Sequence, residues 1–316
     1  MTQELHEAPN PKRNEIVAAL GVFDGVHLGH RQVISHAAAH GACQIVTFAA
    51  DSMTSKQGKQ MRYIYHDEQK RRLLATCGAD AVFALPFGEI ADLSGEEFCK
   101  QILRERLQVD RVVIGSDFRF GRKAACTAND LKRFGQKQHF TVEIVPQVMV
   151  DGTSVPVSSS QIRFLLESGQ ISKANALLGA DYHILAHVIT GQQLGSTVLG
   201  VPTANQPFEP YQCIPHRGVY ASFAEINDIW VPAITNIGVR PTVTGGNAEP
   251  IAETHLLDWS GDLVGTLLPV TLCQFIRPEQ QFDSLDALGA QLRRDIQTRR
   301  HLLPAAGNLP HESIDL

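Results

Sequence analysis

The chain has 316 residues, 43% of them hydrophobic and 19% charged, with a formal net charge of -5 at pH 7. That length suits two cores better than one, and the acidic balance argues against a nucleic-acid partner, which calls for a basic surface. The first residues, MTQELHEAPNPKRNE, lack the apolar core of a signal peptide, and no segment approaches the roughly 20 apolar residues of a membrane span. Six scattered cysteines (Cys43, Cys77, Cys99, Cys126, Cys213, Cys273) form no CxxC pair, so the expectation is a cytoplasmic protein with reduced thiols and no zinc site.

In chain order, residues 16–20 (IVAAL) form a short apolar run that reads as a buried parallel strand. A helix is expected over 29–40, a strand over 44–48 (QIVTF), an amphipathic helix over 68–77 and a strand over 81–85 (AVFAL). Ser94 is a cap for the next helix, with Glu96 and Glu97 at its positive end. Strands follow at 111–115 (RVVIG) and 141–145 (TVEIV). Strand–helix alternation of this kind predicts a doubly wound α/β domain with a parallel sheet.

From Ser158 the pattern turns helical, and after Tyr182 it changes character. Glycine and proline become frequent, and short strands are expected at 187–190, 219–224, 231–235, 252–257 and 267–275. Their spacing predicts a small antiparallel barrel or sandwich, closed by an amphipathic helix over 284–299. The expected division is 1–183 and 184–316.

The strongest chemical signal is Gly21-Val22-Phe23-Asp24-Gly25-Val26-His27-Leu28-Gly29-His30, directly after a strand. Gly21 and Gly25 permit a sharp turn and close approach of backbone to ligand. His27 and His30 stand three residues apart, so a helix starting here aims both imidazoles one way. Free N–H groups at its N-terminus suit a triphosphate, and the imidazoles can donate to an α-phosphate as charge builds. An alternative is that both histidines only cap or pack the helix.

This segment resembles the HxGH nucleotidyltransferase superfamily. Two further stretches narrow the resemblance to the FAD synthetase module: Gly115-Ser116-Asp117-Phe118-Arg119-Phe120-Gly121 and Ser158-Ser159-Ser160-Gln161-Ile162-Arg163, with Ser160 where the module has threonine. The resemblance implies a Rossmann-like fold with His27 and His30 catalytic and Arg119 against flavin. It implies ATP contacts from Gly21, Phe23, Asp24, Gly25, Gly29, Asp117, Ser159, Ser160 and Arg163. One stretch departs: the module's T-F-E-P-H-P loop reads Thr47-Phe48-Ala49-Ala50-Asp51-Ser52 here, with Lys56, Lys59 and Arg62 as candidate replacement charges.

A second group of motifs lies beyond residue 190. Gly191, Gly195 and Gly200 lead to Pro202-Thr203-Ala204-Asn205, a glycine-rich loop suited to a phosphate chain. Thr203 and Asn205 face the same way on an extended segment, and their hydroxyl and amide oxygens are suitable ligands for Mg²⁺. Glu253, on an expected strand, is a candidate general base, although a lone strand glutamate is more often simply solvated.

Together these stretches resemble riboflavin kinase, as do Asn236-Ile237-Gly238-Val239-Arg240-Pro241-Thr242, Phe275-Ile276-Arg277, Phe282 and the helix bearing Asp295. The resemblance implies an antiparallel barrel kinase with a C-terminal helix. Gly191, Gly195, Gly200, Pro202, Thr203 and Asn205 would contact ATP, Asn236, Arg240 and Arg277 the flavin, and Glu253 would be the base. The module order is that of the bacterial bifunctional riboflavin kinase/FAD synthetase, with riboflavin, FMN and ATP as substrates and oligomeric state left open. Departures are Ala186-His187 for the usual Gly-Arg, an uncharged Gly195-Ser196-Thr197 loop, and Asp262-Leu263-Val264-Gly265 without the usual tyrosine. Two alternatives stand beside this reading: a kinase with an impaired adenylyltransferase, and a flavin- or nucleotide-binding regulator without turnover.

Overall fold

A computed structural model describes residues 15–48, 62–191, 203–240 and 249–303. The chain divides by its contacts into two compact units, one running to Ser159 and the other starting at Ser160.

The first unit is built on five strands, β1 (Ile16–Leu20), β2 (Ala42–Phe48), β3 (Ala81–Leu85), β4 (Arg111–Gly115) and β7 (Thr141–Val145), in the order β3-β2-β1-β4-β7. All four pairings are parallel, as the apolar runs predict. Helices α1 (Leu28–His40), α2 (Asp67–Thr76), α3 (Phe87–Ile90), α4 (Gly95–Glu97) and α5 (Ala128–Gln138) make the connections, α4 running on as a π-helical stretch over Phe98–Arg106. A short hairpin, β5 (Arg119–Phe120) and β6 (Cys126–Thr127), follows β4. Ser94 caps α4 in a capping box: its hydroxyl accepts from the Glu97 N–H, and the Glu97 carboxylate accepts from the Ser94 N–H. Ala18, Leu20, Val46, Val112 and Ile114 pack one face of the sheet against Phe98, Leu103 and Leu131. Each such buried aliphatic or aromatic side chain contributes about 1.5–3 kcal/mol.

This strand order has a functional consequence. The chain leaves β1 for β2 on one side and later returns to β4 on the other, so the sheet's direction of winding reverses between β1 and β4. Ligands of open α/β sheets bind in the crevice at the carboxyl ends of the strands at such a switch point. Residues 21–30 follow β1, and Ser116 and Asp117 follow β4.

The second unit holds α6 (Ser159–Glu167) but for its first residue, and α7 (Ile171–Leu178). Its sheet has six antiparallel strands, β8 (Tyr182–His187), β9 (Ala204–Pro207), β10 (Gly218–Ile226), β11 (Ile229–Arg240), β12 (Glu249–Leu256) and β13 (Leu267–Pro278), ordered β8-β13-β10-β11-β12-β9. The ends of this sheet nearly meet. The Ile189 N–H donates to the Asn205 carbonyl at 2.8 Å, and buried Gln206 donates to the carbonyls of Ala186 and Leu268. Helix α8 (Leu285–Leu302) packs on β10 and β13.

The first strand of the barrel corrects the reading at 187–190. It begins at Tyr182, because Tyr182, His183, Ile184 and Leu185 are all buried and show no in–out alternation.

Candidate active sites

In the first unit, the turn after β1 is strained. Phe23 and Val26, neither of them glycine, have φ of 52° and 44°, and Gly25 has 82°. For β-branched Val26 that region is costly, and such strain is held only where surrounding contacts fix it. Those contacts are present: Thr47 Oγ1 donates to the Val22 carbonyl at 2.9 Å, and the Arg31 Nε donates to the Val26 carbonyl. The Asp24 carboxylate accepts from the Ile64 N–H at 2.8 Å, and the Asp24 carbonyl accepts from Ser159 Oγ. Gly21 leaves room for the Phe23 ring, which would lie 3.1 Å from a Cβ there.

The turn delivers His27 to the N-cap of α1, where its side chain makes no capping hydrogen bond to the helix. Its N–H groups are therefore available to an anion. The rings of His27 and His30 stack, 3.6 Å apart at 20°, and the edge of Phe23 supports His30. Burial lowers His27 to about 4, a hydrogen bond to its own backbone opposing this only in part. Burial, His27 and the Lys70 ammonium hold His30 well below its ordinary value. Both rings are thus uncharged at neutral pH. Each Nδ1 is buried without a hydrogen-bond partner in any other described residue. A neutral imidazole keeps one N–H, so each ring can donate one hydrogen bond to an oxyanion.

Asp117 and Arg119 lie exposed beyond β4, and Gly115 gives space to the Asp117 carboxylate, 3.0 Å from where its Cβ would be. Arg163, one turn into α6, donates to Ser160 Oγ at 3.1 Å. Of the altered loop, Thr47, Phe48 and Arg62 are described, whereas 49–52, Lys56 and Lys59 lie outside the described residues.

In the second unit, pairing places four strands' residues in one row. Val219 pairs with Asn236, Asn236 with Glu253, and Glu253 with Asn205. Paired residues of antiparallel strands face the same side, about 4.5–5.5 Å apart at Cβ. The candidate base therefore sits between the candidate metal ligand and a candidate flavin contact. Asn205 is buried and its amide donates to the Thr203 carbonyl. Gly191, Thr203 and Asn205 line a cavity of about 190 Å³ together with Trp259, Asp262 and Leu263. No sequence motif marks Trp259 or Asp262 as a site residue, although Asp262 opens the Asp262–Gly265 run that lacks the usual tyrosine. Gly195, Gly200 and Pro202 lie outside the described residues, as does the side chain of Arg240.

Arg277 is engaged elsewhere. Its Nε and Nη2 reach both carboxylate oxygens of buried Asp295 at 2.8–3.1 Å, and Nη1 donates to the Pro278 carbonyl. This geometry is a brace between β13 and α8, so the flavin contact expected of Arg277 rests on resemblance alone.

A switch-point crevice with an HxGH histidine pair in one unit, and an Asn–Glu–Asn row on an antiparallel barrel in the other, define a nucleotidyltransferase-like domain followed by a kinase-like barrel. Family models agree: FAD synthetase matches residues 10–161 and riboflavin kinase matches 178–303. The bifunctional riboflavin kinase/FMN adenylyltransferase of Pseudomonas fluorescens is 34% identical over 96% of this chain and 97% of its own. That of Escherichia coli K12 is 33% identical over 94% and 95%. The chain belongs to the bifunctional riboflavin kinase/FMN adenylyltransferase family. A crystal structure described as a macrolide-efflux protein from Streptococcus pneumoniae matches at TM-score 0.79 and 28% identity, covering 92% of this chain and 95% of that one. Among the described residues, no helix is long and apolar enough to cross a membrane.

Proposed function

We propose that the chain phosphorylates riboflavin to FMN in its second unit and adenylylates FMN to FAD at the histidine motif of its first. The observation that carries the second step is the stacked, uncharged His27–His30 pair at the N-terminus of α1. In that step an FMN phosphate oxygen attacks the α-phosphorus of ATP and the bond to pyrophosphate breaks. The imidazoles and the N–H groups of α1 receive the charge that develops on the α-phosphate.

In the kinase step, Glu253 accepts the proton of the terminal ribityl hydroxyl as its oxygen attacks the γ-phosphorus and ADP leaves. Asn205 and Thr203 offer the hard oxygens that Mg²⁺ prefers. Among the described residues no group of three or more His, Cys, Asp or Glu could hold a metal. A magnesium ion here would be held by the hydroxyl, the amide and the nucleotide's own phosphates, and would neutralise their charge.

The intact histidine pair favours two activities over a kinase alone. Paired variants test the reading: His27→Ala should stop FAD formation and leave FMN formation, whereas Glu253→Gln should do the reverse when FMN is supplied. Loss of both activities in either variant would contradict separate sites.

A further inference from the structure

Lys70 is a lysine where the helix should be apolar. It shares a stripe of α2 with Leu73 and Leu74 and is only 4% exposed. Burying an ammonium is costly unless it is paired and hydrogen-bonded. Here Nζ lies 3.1 Å from the Asp67 carboxylate and donates to the Phe48 carbonyl at 3.3 Å.

The position of that carbonyl gives the arrangement meaning. Phe48 ends β2, one residue after Thr47, whose hydroxyl holds the Val22 carbonyl in the strained turn. Strands β1 and β2 pair in register up to Leu20 and Val46, and the Gly21 N–H donates to the Val46 carbonyl. The ammonium thus grips the strand end that supports the turn, and the turn's Phe23 carries the His30 ring on its edge. The charge of Lys70 reaches His30. Among the described residues, the titratable groups acting on His30 are His27, stacked on it from the same motif, and Lys70, from α2; Asp67 is the ion-pair partner of Lys70.

We propose that Lys70 is a positioning residue for adenylyl transfer, a fixed buried cation that holds the end of β2 and the turn beside it and acts by its charge on the histidine pair. The inference rests on the adenylyltransferase reading of the histidine motif. An uncharged His30 has a lone pair and one N–H, so it meets the incoming triphosphate as a donor without first repelling Lys70. When the anion binds, it stabilises positive charge on both groups, and the site strengthens as the reaction needs it.

The test uses the full chain with Lys70→Met and Lys70→Arg. Imidazole titration by NMR without substrate, with His30 assigned from a His30→Gln spectrum, should show the His30 midpoint rising by about half a pH unit or more in Lys70→Met. It should return towards wild type in Lys70→Arg. The acid limb of FAD formation should move to higher pH in the Met variant, while FMN formation from riboflavin keeps its profile. An unchanged His30 midpoint in folded Lys70→Met overturns the proposal, as does an equal fall of both activities that arginine does not restore. If wild type makes no FAD at any pH, the functional reading fails, and the titration still decides the role of Lys70. Should Lys70→Met not fold, Asp67→Asn removes the partner and leaves the ammonium. His30 should then titrate lower, and no shift or a rise overturns the proposal.

Discussion

The side-chain amide of Asn205 occupies the space that a Cβ at Gly191 would need. The glycine is therefore a packing requirement of the candidate magnesium ligand, independent of any special backbone angle. Gly191→Ala should push the amide off the Thr203 carbonyl and lower FMN formation from riboflavin about 10- to 100-fold, since small misplacements near reacting groups carry costs of that size. FAD formation from supplied FMN should be unchanged. Separate steady-state assays with riboflavin and with FMN check this.

Gly29 stands under His27 in a milder version of the same relationship. A Cβ there would lie 3.2 Å from Cε1 and 3.3 Å from Nδ1 of the ring, so His27 must give by only a few tenths of an ångström. Gly29→Ala is expected to lower FAD formation a few-fold. His30→Ala, which removes a donor to the developing charge, should lower kcat about 10²- to 10³-fold. Single-turnover rates of FAD formation separate the two cases.

The histidine pair also makes stability depend on pH. His27 has an ordinary value of 6.5 when unfolded and about 4 in the fold. The unfolded chain therefore binds the proton first. The stability contributed by the uncharged ring is complete above pH 6.5 and is lost as pH falls from there through about 4. The full difference is worth roughly 3 kcal/mol, and His30 acts in the same direction. Denaturant melts of the first unit at pH 7.5 and pH 5 should differ accordingly, with a smaller difference in His27→Gln.

Arg277 and Asp295 form a brace whose side chains are 16% and 3% exposed. Removing one partner leaves the other buried and uncompensated, at about 3–5 kcal/mol. Asp295→Ala should destabilise the second unit by that order, and the Arg277→Met, Asp295→Leu pair should recover part of the loss. Both tryptophans, Trp230 and Trp259, belong to the second unit, so their fluorescence in a urea titration reports on it alone.

Much of this was legible before folding, for identifiable reasons. Buried parallel strands such as Ile16–Leu20 and Arg111–Gly115 appear as apolar runs, and Ser94 is where a cap should be. The motif Gly21–His30 could be read because a turn this sharp needs glycine and its histidines share a helix face. Strand β9 was hidden: Ala-Asn-Gln-Pro has no apolar alternation, and it is a strand because β12 pairs with it. Lys70 was hidden within a helix read as an ordinary amphipathic one, although a lysine at the stripe position beside Leu73 and Leu74 was the available signal. The Asp295 partner of Arg277 lies 18 residues further on, across an intervening turn, and no local spacing rule links them.

The most direct measurement is chromatography of products after the chain is incubated with ATP, Mg²⁺ and either riboflavin or FMN. Two active sites predict FMN followed by FAD from riboflavin, and FAD with pyrophosphate from FMN. FMN accumulating without FAD, or neither product appearing, would contradict the account.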